Sequence, residues 1–373
     1  MRYLVTGLCA AALILAGCSG TNTTSSSALP NAGGQSPSAS RHGHWLPYNL
    51  VGTVVHHGLK QMHVEGPGDA PPGQRGGYYA SEFLGSGIPA WAPKPNNENS
   101  PPVCTVSGQT YFVNGIAADQ KGNLIVPGSD PSGYTSTIQV YQGPPVCPGG
   151  EQGPLLGTIT DPYGQAVDAA AFNAGVGPIA VSEINYDTGK GDVVICTLAS
   201  GTCSPPATSS AVKLWGAGVA MDSAGDCWLS TATRFSLGHP EGFQLIYWAG
   251  CTGNGVVATG TQNKTYGGLF IDDDGNLAAL DAFNSMLYVY SGCKPSCTLV
   301  GSMQLIGNSF FGNLNGAGTR LAVGDVTSGS VDVYVYTPTA LTYRYSFNNG
   351  LTSSDNVEAG IFSPSNQRTH YKK

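Results

Sequence analysis

One acidic run in the chain, Asp272-Asp-Asp274-Gly-Asn276, has side-chain oxygens spaced as in a loop that could bind a hard cation. Several carboxylates in a short loop suit Ca²⁺, but this run lacks the downstream bidentate Glu of a calcium-binding helix–loop–helix motif. Related runs at Asp119 and Asp222 keep only one or two of the acids. We therefore expect these residues to shape turns, since Asp, Asn and Gly are typical turn formers.

Histidines are concentrated in one segment, residues 41–76. Clustered imidazoles can bind a transition metal, but adjacent histidines rarely point at one ion and the segment shows no strand or helix pattern. His239 stands apart, in His239-Pro-Glu241, at a predicted loop tip where it could act as a general base or simply be solvated. We predict no cofactor from the histidines, which in residues 41–76 are His42, His44, His56, His57 and His63.

Sequence motifs for known catalytic centres are absent from the chain. There is no Gly-x-Ser-x-Gly elbow, no His-Glu-x-x-His pair and no phosphate-binding loop. The acids Glu183, Asp187, Asp192 and Asp325 follow no paired spacing. We assign no catalytic residue.

Cysteines occur in a pattern that indicates disulfides. Eight of the ten lie beyond residue 100, and an even number suits pairing in an oxidising compartment. Two spacings could each close a tight turn, a third pair falls in runs predicted to be neighbouring antiparallel strands, and the fourth pair remains by elimination. A zinc site at Cys293 and Cys297 is the alternative, but no second pair at ligand spacing accompanies it. The predicted pairs are, in that order, Cys293–Cys297, Cys196–Cys203, Cys227–Cys251 and Cys104–Cys147.

A twelve-residue phrase recurs around these residues, at Gly115–Val126, Gly218–Leu229 and Gly268–Ala279. Each copy reads as an apolar strand, an Asp-x-x-Gly-Asn/Asp turn and a second apolar strand, which is a β-hairpin. The starts lie 103 and 50 residues apart, so the period is about 50 with one copy hidden in the gap. Periods of that size indicate a repeat architecture.

Weaker copies start near Ala166, at Gly312 and near Gly360, which gives six. Third and fourth strands follow most copies, and four strands per repeat indicate a β-propeller blade. The last copy stops after one strand, and its missing strands are expected in Tyr78–Phe83, Ile88–Trp91 and Val103–Val106. The fold class is therefore all-β, a six-bladed β-propeller with the last blade closed by N- and C-terminal strands. A β-sandwich, a two-domain all-β chain and seven blades are the alternatives.

Aromatic residues recur in the third strands of these copies. We expect them to pack between blades, whereas aromatic residues left on loops would suit stacking on a glycan or peptide. The third-strand aromatics are Trp91, Tyr141, Trp248, Tyr290 and Tyr336.

The repeated Gly-apolar-Ala-apolar-Asp-x-x-Gly-Asn phrase resembles that of NHL-type and related six-bladed propellers. The resemblance covers roughly residues 78–366. The motif is structural, and the family it implies shares no single chemistry.

The N-terminus has the pattern of an export signal. Arg2 is followed by the apolar run Leu4–Ala16 and then by Leu15-Ala-Gly-Cys18, which resembles the lipobox of bacterial lipoproteins. An ordinary secretory signal or a short membrane span is the alternative, but thirteen apolar residues are too few to cross a bilayer. The resemblance implies that Cys18 is acylated (palmitate or a similar chain) and becomes the mature N-terminus. The predicted segments are a signal peptide (1–17), a Ser/Thr-rich tether (18–40), a His-containing segment (41–76) and the propeller (77–373).

Composition agrees with export. Only 10% of residues are charged, against roughly 25% in ordinary domains, and Gly accounts for 53 of 373. The formal net charge of −7 argues against nucleic acid, because phosphate binding needs a Lys/Arg-rich surface.

The function predicted from these features is a binding or scaffolding module, lipid-anchored on the extracytoplasmic side of a membrane in the cell envelope. Its partner would be an envelope protein, a peptide or a glycan. The alternative is a metal-dependent enzyme like the lactonase and lyase propellers, which hold a divalent metal at the channel mouth. That resemblance would place Asn114, Glu183, Asp222 and Asp272 at the channel, and convergence of three or more such side chains would distinguish the two.

Overall fold

The structure, a computed structural model, describes residues 77–82, 87–92, 99–108, 113–129, 136–143, 147, 150–171, 177–236, 239–351, 357–363 and 365. The predicted signal peptide, Cys18, the tether and the His-containing segment 41–76 lie outside the described residues. Within the described residues, no helix has both the length and the apolar character needed to cross a membrane.

The described chain is all-β, as predicted. The hydrogen-bonded strands form two eight-stranded sheets, two four-stranded sheets and a two-stranded hairpin. One parallel pairing divides each eight-stranded sheet into two antiparallel groups of four strands. We call the six antiparallel groups of four sheets I to VI, and the first strand of each is called its inner strand. Sheet I consists of β26 (Val357–Ser363), β1 (Gly77–Glu82), β2 (Ile88–Trp91) and β3 (Cys104–Val106). Sheet II consists of β4 (Ala117–Ala118), β5 (Leu124–Ser129), β6 (Ser136–Tyr141) and β7 (Leu155–Asp161). Sheet III consists of β8 (Gly164–Ala171), β9 (Ile179–Asn185), β10 (Gly191–Thr197) and β11 (Thr202–Cys203).

The other three sheets follow the same order. Sheet IV consists of β12 (Gly216–Met221), β13 (Cys227–Thr231), β16 (Gln244–Trp248) and β17 (Val256–Val257). Sheet V consists of β18 (Leu269–Ile271), β19 (Leu277–Asp281), β20 (Met286–Ser291) and β21 (Thr298–Gln304). Sheet VI consists of β22 (Ser309–Leu314), β23 (Arg320–Asp325), β24 (Ser330–Thr337) and β25 (Ala340–Phe347). A separate hairpin, β14 (Arg234–Ser236) and β15 (His239–Glu241), extends from sheet IV, and two 3-10 turns lie at Ala249–Cys251 and Ala282–Asn284.

Apolar side chains are buried on both faces of these sheets. In β9, Ile179 and Val181 pack in a cluster with sheet II, whereas Ala180 between them packs in a cluster with sheet IV. This alternation is the period of two that a strand imposes on its side chains. Such a cluster lies between each pair of consecutive sheets, including VI and I.

Inner strands contact one another in chain order. β4 contacts β8, β8 contacts β12, β12 contacts β18, and β18 contacts β22. β22 then pairs in parallel with β26 through Phe311–Ala359 and Gly312–Gly360, and β26 contacts β4. The circuit of inner strands is therefore closed.

The inner strand of sheet I comes from the opposite end of the sequence to its other strands. β26 pairs antiparallel with β1, from Gly77 opposite Ser363 to Glu82 opposite Val357. The C-terminal strand thus joins the N-terminal strands, as the sequence indicated.

Serine hydroxyls connect several sheets near their inner strands. Ser182 Oγ in β9 donates to the carbonyl of Ala217 in β12 at 2.6 Å. Ser230 in β13 donates to the carbonyl of Gly267, just before β18, and Ser81 in β1 donates to that of Asn114, just before β4. The same second-strand position therefore holds the next sheet in three places.

The third-strand aromatics are buried, as predicted. Trp91, Tyr141, Trp248, Tyr290 and Tyr336 are each no more than 3% exposed. Trp91 lies between sheets I and VI, where its ring centroid is 4.8 Å from that of Phe347.

The described residues contain four disulfides, and these join the four cysteine pairs predicted from the sequence. Three lie within one sheet or its turns: Cys196–Cys203, Cys227–Cys251 and Cys293–Cys297. Cys104–Cys147 connects β3 of sheet I with the segment between β6 and β7 of sheet II. Cys293 and Cys297 are thus bonded to each other, which leaves no thiolate pair there for zinc.

Removing β26 should abolish cooperative folding. A chain that ends at residue 356 loses the only inner strand of sheet I and both of its pairings, so the apolar side chains of β1 and β22 become exposed. We expect it to aggregate or to melt without a transition, as measured by circular dichroism. A chain that ends at residue 365 keeps every described strand and should melt like the full chain; equal melting of both truncations would contradict the role of β26.

Candidate functional site

The repeated Asp residues close the turns between the first two strands of sheets II, IV and V. Asp119 Oδ1 accepts the backbone N–H groups of Lys121 at 2.9 Å and Asn123 at 2.8 Å. Asp222 and Asp272 accept the equivalent two N–H groups in their own turns. Gly122 has φ of +85°, a conformation that only glycine adopts freely. The phrase is therefore a turn motif.

Asp272, the strongest candidate for calcium, has both carboxylate oxygens engaged by donors. Its Oδ2 accepts from Asn276 Nδ2 at 3.0 Å and from the Tyr336 hydroxyl at 3.0 Å. Within the described residues, no group of three or more His, Cys, Asp or Glu side chains is placed to hold a metal ion. The carboxylate acts as a turn cap and as a link between sheets V and VI.

The fourth copy of this turn lies one residue away from the register that its glycine suggested. Asn315 Oδ1 accepts the N–H groups of Thr319 at 2.9 Å and Arg320 at 3.0 Å, four and five residues further on, whereas each Asp accepts from the residues two and four positions on. This copy lacks the Asp, as expected, but its acceptor Asn315 lies one residue before the position that a start at Gly312 implies. The side-chain acceptor, rather than the leading glycine, marks the repeat.

The residues proposed for a channel metal do not come together. Asn114 precedes β4, and its carbonyl accepts the Ser81 hydroxyl. Asp222 caps the β12–β13 turn and is bound by Lys294 Nζ at 2.6 Å. Asp272 caps the β18–β19 turn, and Glu183 is buried in the second strand of sheet III.

Aromatic side chains fill the space at the beginning of the inner strands. Trp215 and Tyr266, which precede β12 and β18, are fully buried in one apolar cluster with Phe310 and Phe311 of β22. The Tyr266 and Phe310 ring centroids are 6.3 Å apart. This end of the central space is therefore occupied by the core.

A small pocket lies toward the other end, between five of the inner strands. It has about 390 Å³ of empty space counted out to the open solvent. Most of its lining is aliphatic or aromatic, and Asp168 is the one ionisable residue among the described residues that line it. Asn313 also lines the pocket, but its side chain is bonded to Phe362 through both Oδ1, at 2.6 Å, and Nδ2, at 3.1 Å.

Asp168 connects its own strand, β8, with the next inner strand, β12, and with the second strand β9. Its Oδ2 accepts the backbone N–H of Val219 in β12 at 3.1 Å, and its own N–H donates to Ser182 Oγ at 3.1 Å. A side chain at Gly115 would overlap the Asp168 carboxyl group, so the glycine that opens the first repeat makes room for it. Burial raises the pKa of Asp168 to about 8, opposed by the N–H donors. Asp168 therefore holds these strands together.

A separate group of three carboxyls, Asp161, Glu183 and Asp192, lies where sheets II and III connect. Glu183 in β9 is directly opposite Asp192 in β10, and Asp161 ends β7. Burial, and then the proximity of Asp161 and Asp192, raise the pKa of Glu183 far above its ordinary range. Burial raises the pKa of Asp192 to about 6 and also raises that of Asp161. The sequence spacing of Glu183 and Asp192 gave no indication of this contact, because it is strand register that places them side by side.

In two other second strands, a buried acid at the C-terminal end of the strand is supplied with donors. Asp281 in β19 accepts the backbone N–H groups of Lys264, at 2.7 Å, and Thr265, at 3.1 Å. Asp325 in β23 accepts the Thr327 N–H at 2.8 Å and the Ser328 hydroxyl at 2.6 Å. The acid at this position therefore fastens neighbouring loops. Sequence spacing alone missed it, and alignment of the second strands would have revealed it.

His239 lies in β15, opposite Ser236 in the hairpin register. β14 and β15 form the hairpin that extends from sheet IV, and an ion pair between Arg234 and Glu241, at 2.9 Å, joins the two strands.

No family model matches the chain, and no curated protein matches it. Among solved structures, the chain is similar to the Dos1 propeller, with 11% identity over 76% of this chain and 74% of that chain and a TM-score of 0.43. We carry no residue role over from that protein.

Replacing a turn Asp should cost more than converting it to Asn. Asp119→Ala removes the acceptor of two backbone N–H groups in a buried turn, and each unsatisfied donor costs about 1–3 kcal/mol. Asp119→Asn keeps a carbonyl oxygen, as Asn315 does naturally, and should lose less than half as much stability. Urea unfolding midpoints measure both, and equal losses would contradict the capping role.

Stability should fall as pH rises through about 8, because the folded state holds the Asp168 proton more tightly than the unfolded chain. That contribution is fully present below the ordinary Asp pKa of about 4 and is lost by about pH 9. Asp168→Asn should reduce the slope of the unfolding free energy against pH by up to about 1.4 kcal/mol per pH unit, which corresponds to one proton. Unfolding free energies at pH 5 to 9 test this. Asp187→Asn, at an exposed carboxylate, is the control and should leave the slope unchanged.

Proposed function

We propose that this chain is a lipid-anchored cell-envelope protein whose six sheets are the blades of a closed β-propeller, and that it works as a binding or scaffolding module. The closed circuit of six inner strands supports the blade number. Shared apolar clusters between all consecutive sheets, including VI and I, support a ring rather than a stacked pair of sheets.

The proposed binding role rests on what fills the centre of the molecule. Enzymes that use a propeller channel need polar side chains that converge there, and here the centre holds Trp215, Tyr266 and their apolar neighbours. The one acid in the pocket, Asp168, is bonded to the neighbouring inner strand. Recognition is therefore assigned to the loops at the two ends of the sheets, and no specific observation favours the lactonase- or lyase-like alternative.

Two independent features support the proposed location in the cell envelope. The four disulfides fit an oxidising compartment, where such bonds persist. The Leu15-Ala-Gly-Cys18 sequence would supply the acyl anchor on the extracytoplasmic side of a membrane. A rigid ring on a tether of about twenty residues could then reach partners near the membrane surface.

The low charge of the chain bears on the partner. With only 10% charged residues, loop surfaces lack the dense charge that recognises polyanions. A peptide, a glycan or another envelope protein, recognised through hydrogen bonds and apolar contacts, is the partner class that fits.

Cross-linking in the envelope tests this function. A photoreactive amino acid replaces exposed Lys121, in the β4–β5 turn, or exposed Thr188, in the β9–β10 turn. These turns lie at opposite ends of their sheets, so a module that binds through one end should give a discrete cross-linked product from one position and little from the other. Immunoblotting of the membrane fraction, followed by mass spectrometry of the product, identifies the partner class.

Matched variants separate anchoring from binding. Cys18→Ser should release the chain from the membrane fraction and remove the acyl mass, whereas Cys9→Ser, inside the predicted signal, should leave both unchanged. A photoreactive group at exposed Leu155, on outer strand β7, controls for random collisions. An anchored chain that gives no discrete product at either turn would contradict the binding role, and an unacylated wild-type chain would contradict the anchor.

A further inference from the structure

The three carboxyl groups at the junction of sheets II and III are all withdrawn from solvent. Asp161 and Glu183 are 0% exposed and Asp192 is 3% exposed. They occupy three different strands, since Asp161 ends β7, Glu183 lies in β9, and Asp192 faces Glu183 from β10. Three buried negative charges at this density would repel one another strongly and would each lose hydration.

Donors reach only the outer oxygens of this group. Asp161 Oδ1 accepts the Tyr163 N–H at 3.0 Å, and Asp192 Oδ2 accepts Asn185 Nδ2 at 3.1 Å. Among the described residues, no N–H or hydroxyl donor reaches Asp161 Oδ2, either Glu183 oxygen or Asp192 Oδ1. Glu183 is nevertheless within hydrogen-bonding reach of both aspartates. Among the described residues, only hydrogen atoms carried by the carboxyl groups themselves can complete these contacts.

We propose that Asp161, Glu183 and Asp192 form a chain of carboxyl groups joined by shared protons, with Glu183 as the central acid, and that this chain locks the crossover from sheet II to sheet III. Glu183 donates its O–H to one aspartate, and a second proton in the group can serve the other contact. The lock holds because Asp161 begins the short connection to β8, while Glu183 and Asp192 belong to the body of sheet III.

Packing at the connection favours protons over a metal ion. A side chain at Gly164 would lie 2.6 Å from Glu183 Cδ, so the backbone of the connection rests directly on the carboxyl group. The described residues contain no group of acids placed to hold a metal ion. Sheet V shows the other solution at the same strand position, because there backbone N–H groups serve Asp281 and no shared proton is needed.

Alkaline pH should remove the shared protons and so weaken the connection between sheets II and III. Each carboxyl of the group has a raised pKa, so its stabilising effect is full below the ordinary carboxyl pKa and is lost as pH rises through the folded value. The charges that act on Glu183 are those of Asp161 and Asp192. Nearby titratable or charged groups are the phenols of Tyr163 and Tyr186 and the exposed Asp187 and Lys190 of the β9–β10 turn; no salt bridge formed by described residues reaches the three carboxyls.

Glu183→Gln, made in the full chain, tests the proposal. The wild-type protein at neutral pD should show one protonated carboxyl more than the variant in the infrared carbonyl region. Unfolding of the variant should also release about one proton fewer than unfolding of the wild type. Between pH 6 and 9, the unfolding equilibrium constant of the variant should therefore change with each pH unit by a factor about ten times smaller than that of the wild type. In the wild type, hydrogen exchange of the amides in residues 160–165 should accelerate at high pH by more than the ordinary base catalysis of exchange explains.

Asp281→Asn is the matched control, because Asp281 is a buried second-strand acid whose contacts come from N–H and hydroxyl donors. It should lower stability without removing a protonated-carboxyl signal. If Glu183→Gln fails to fold, Asp192→Asn serves instead, since the loss of one neighbouring charge should move the Glu183 signal to lower pH. An unchanged infrared spectrum would overturn the proposal, as would stabilisation of the wild type by Ca²⁺, reversed by EDTA and missing in Glu183→Gln.

Discussion

Apolar burial between neighbouring sheets is the constraint on which the rest of this molecule depends. Each sheet has two apolar faces, so no sheet can fold with either face in water. A fully buried Leu, Ile or Phe contributes about 1.5–3 kcal/mol, and each cluster between sheets contains several such residues. A linear stack would leave two faces uncovered. The closed circuit of inner strands, with β26 completing sheet I, covers them all.

Several buried polar groups are stabilised in this packing because each has a specific partner. The turn acids and Asn315 accept backbone N–H groups, Asp168 accepts from the next inner strand, and Asp325 accepts hydroxyls from its own loop. The serines at the second-strand position donate to carbonyls of the following sheet. These contacts fix how far each sheet is rotated against its neighbour, which apolar packing alone leaves loosely defined.

Much of the fold could be predicted from the sequence because the signals for it are local. The Asp-x-x-Gly turn, the alternation within strands and the cysteine spacing each depend on residues close in the chain. The site was harder to predict. Glu183 meets Asp161 and Asp192 only after strand register is set, and the fourth repeat was misplaced because its leading glycine was more visible than Asn315. Trp215 and Tyr266, which fill the centre, lie in loops that precede the inner strands. These loops carry no periodic signal, so the sequence did not predict that the centre is filled.

The pairing of β26 with β1 has a consequence for biogenesis. A chain is synthesised from its N-terminus, so β1, β2 and β3 are made first and their inner strand is made last. Until then sheet I lacks the strand between β1 and β22, and the β1 and β22 edges are open to other chains. The protein therefore stays in an unfinished form until its last strand has been made, and chaperones and proteases have their best access to it during that time.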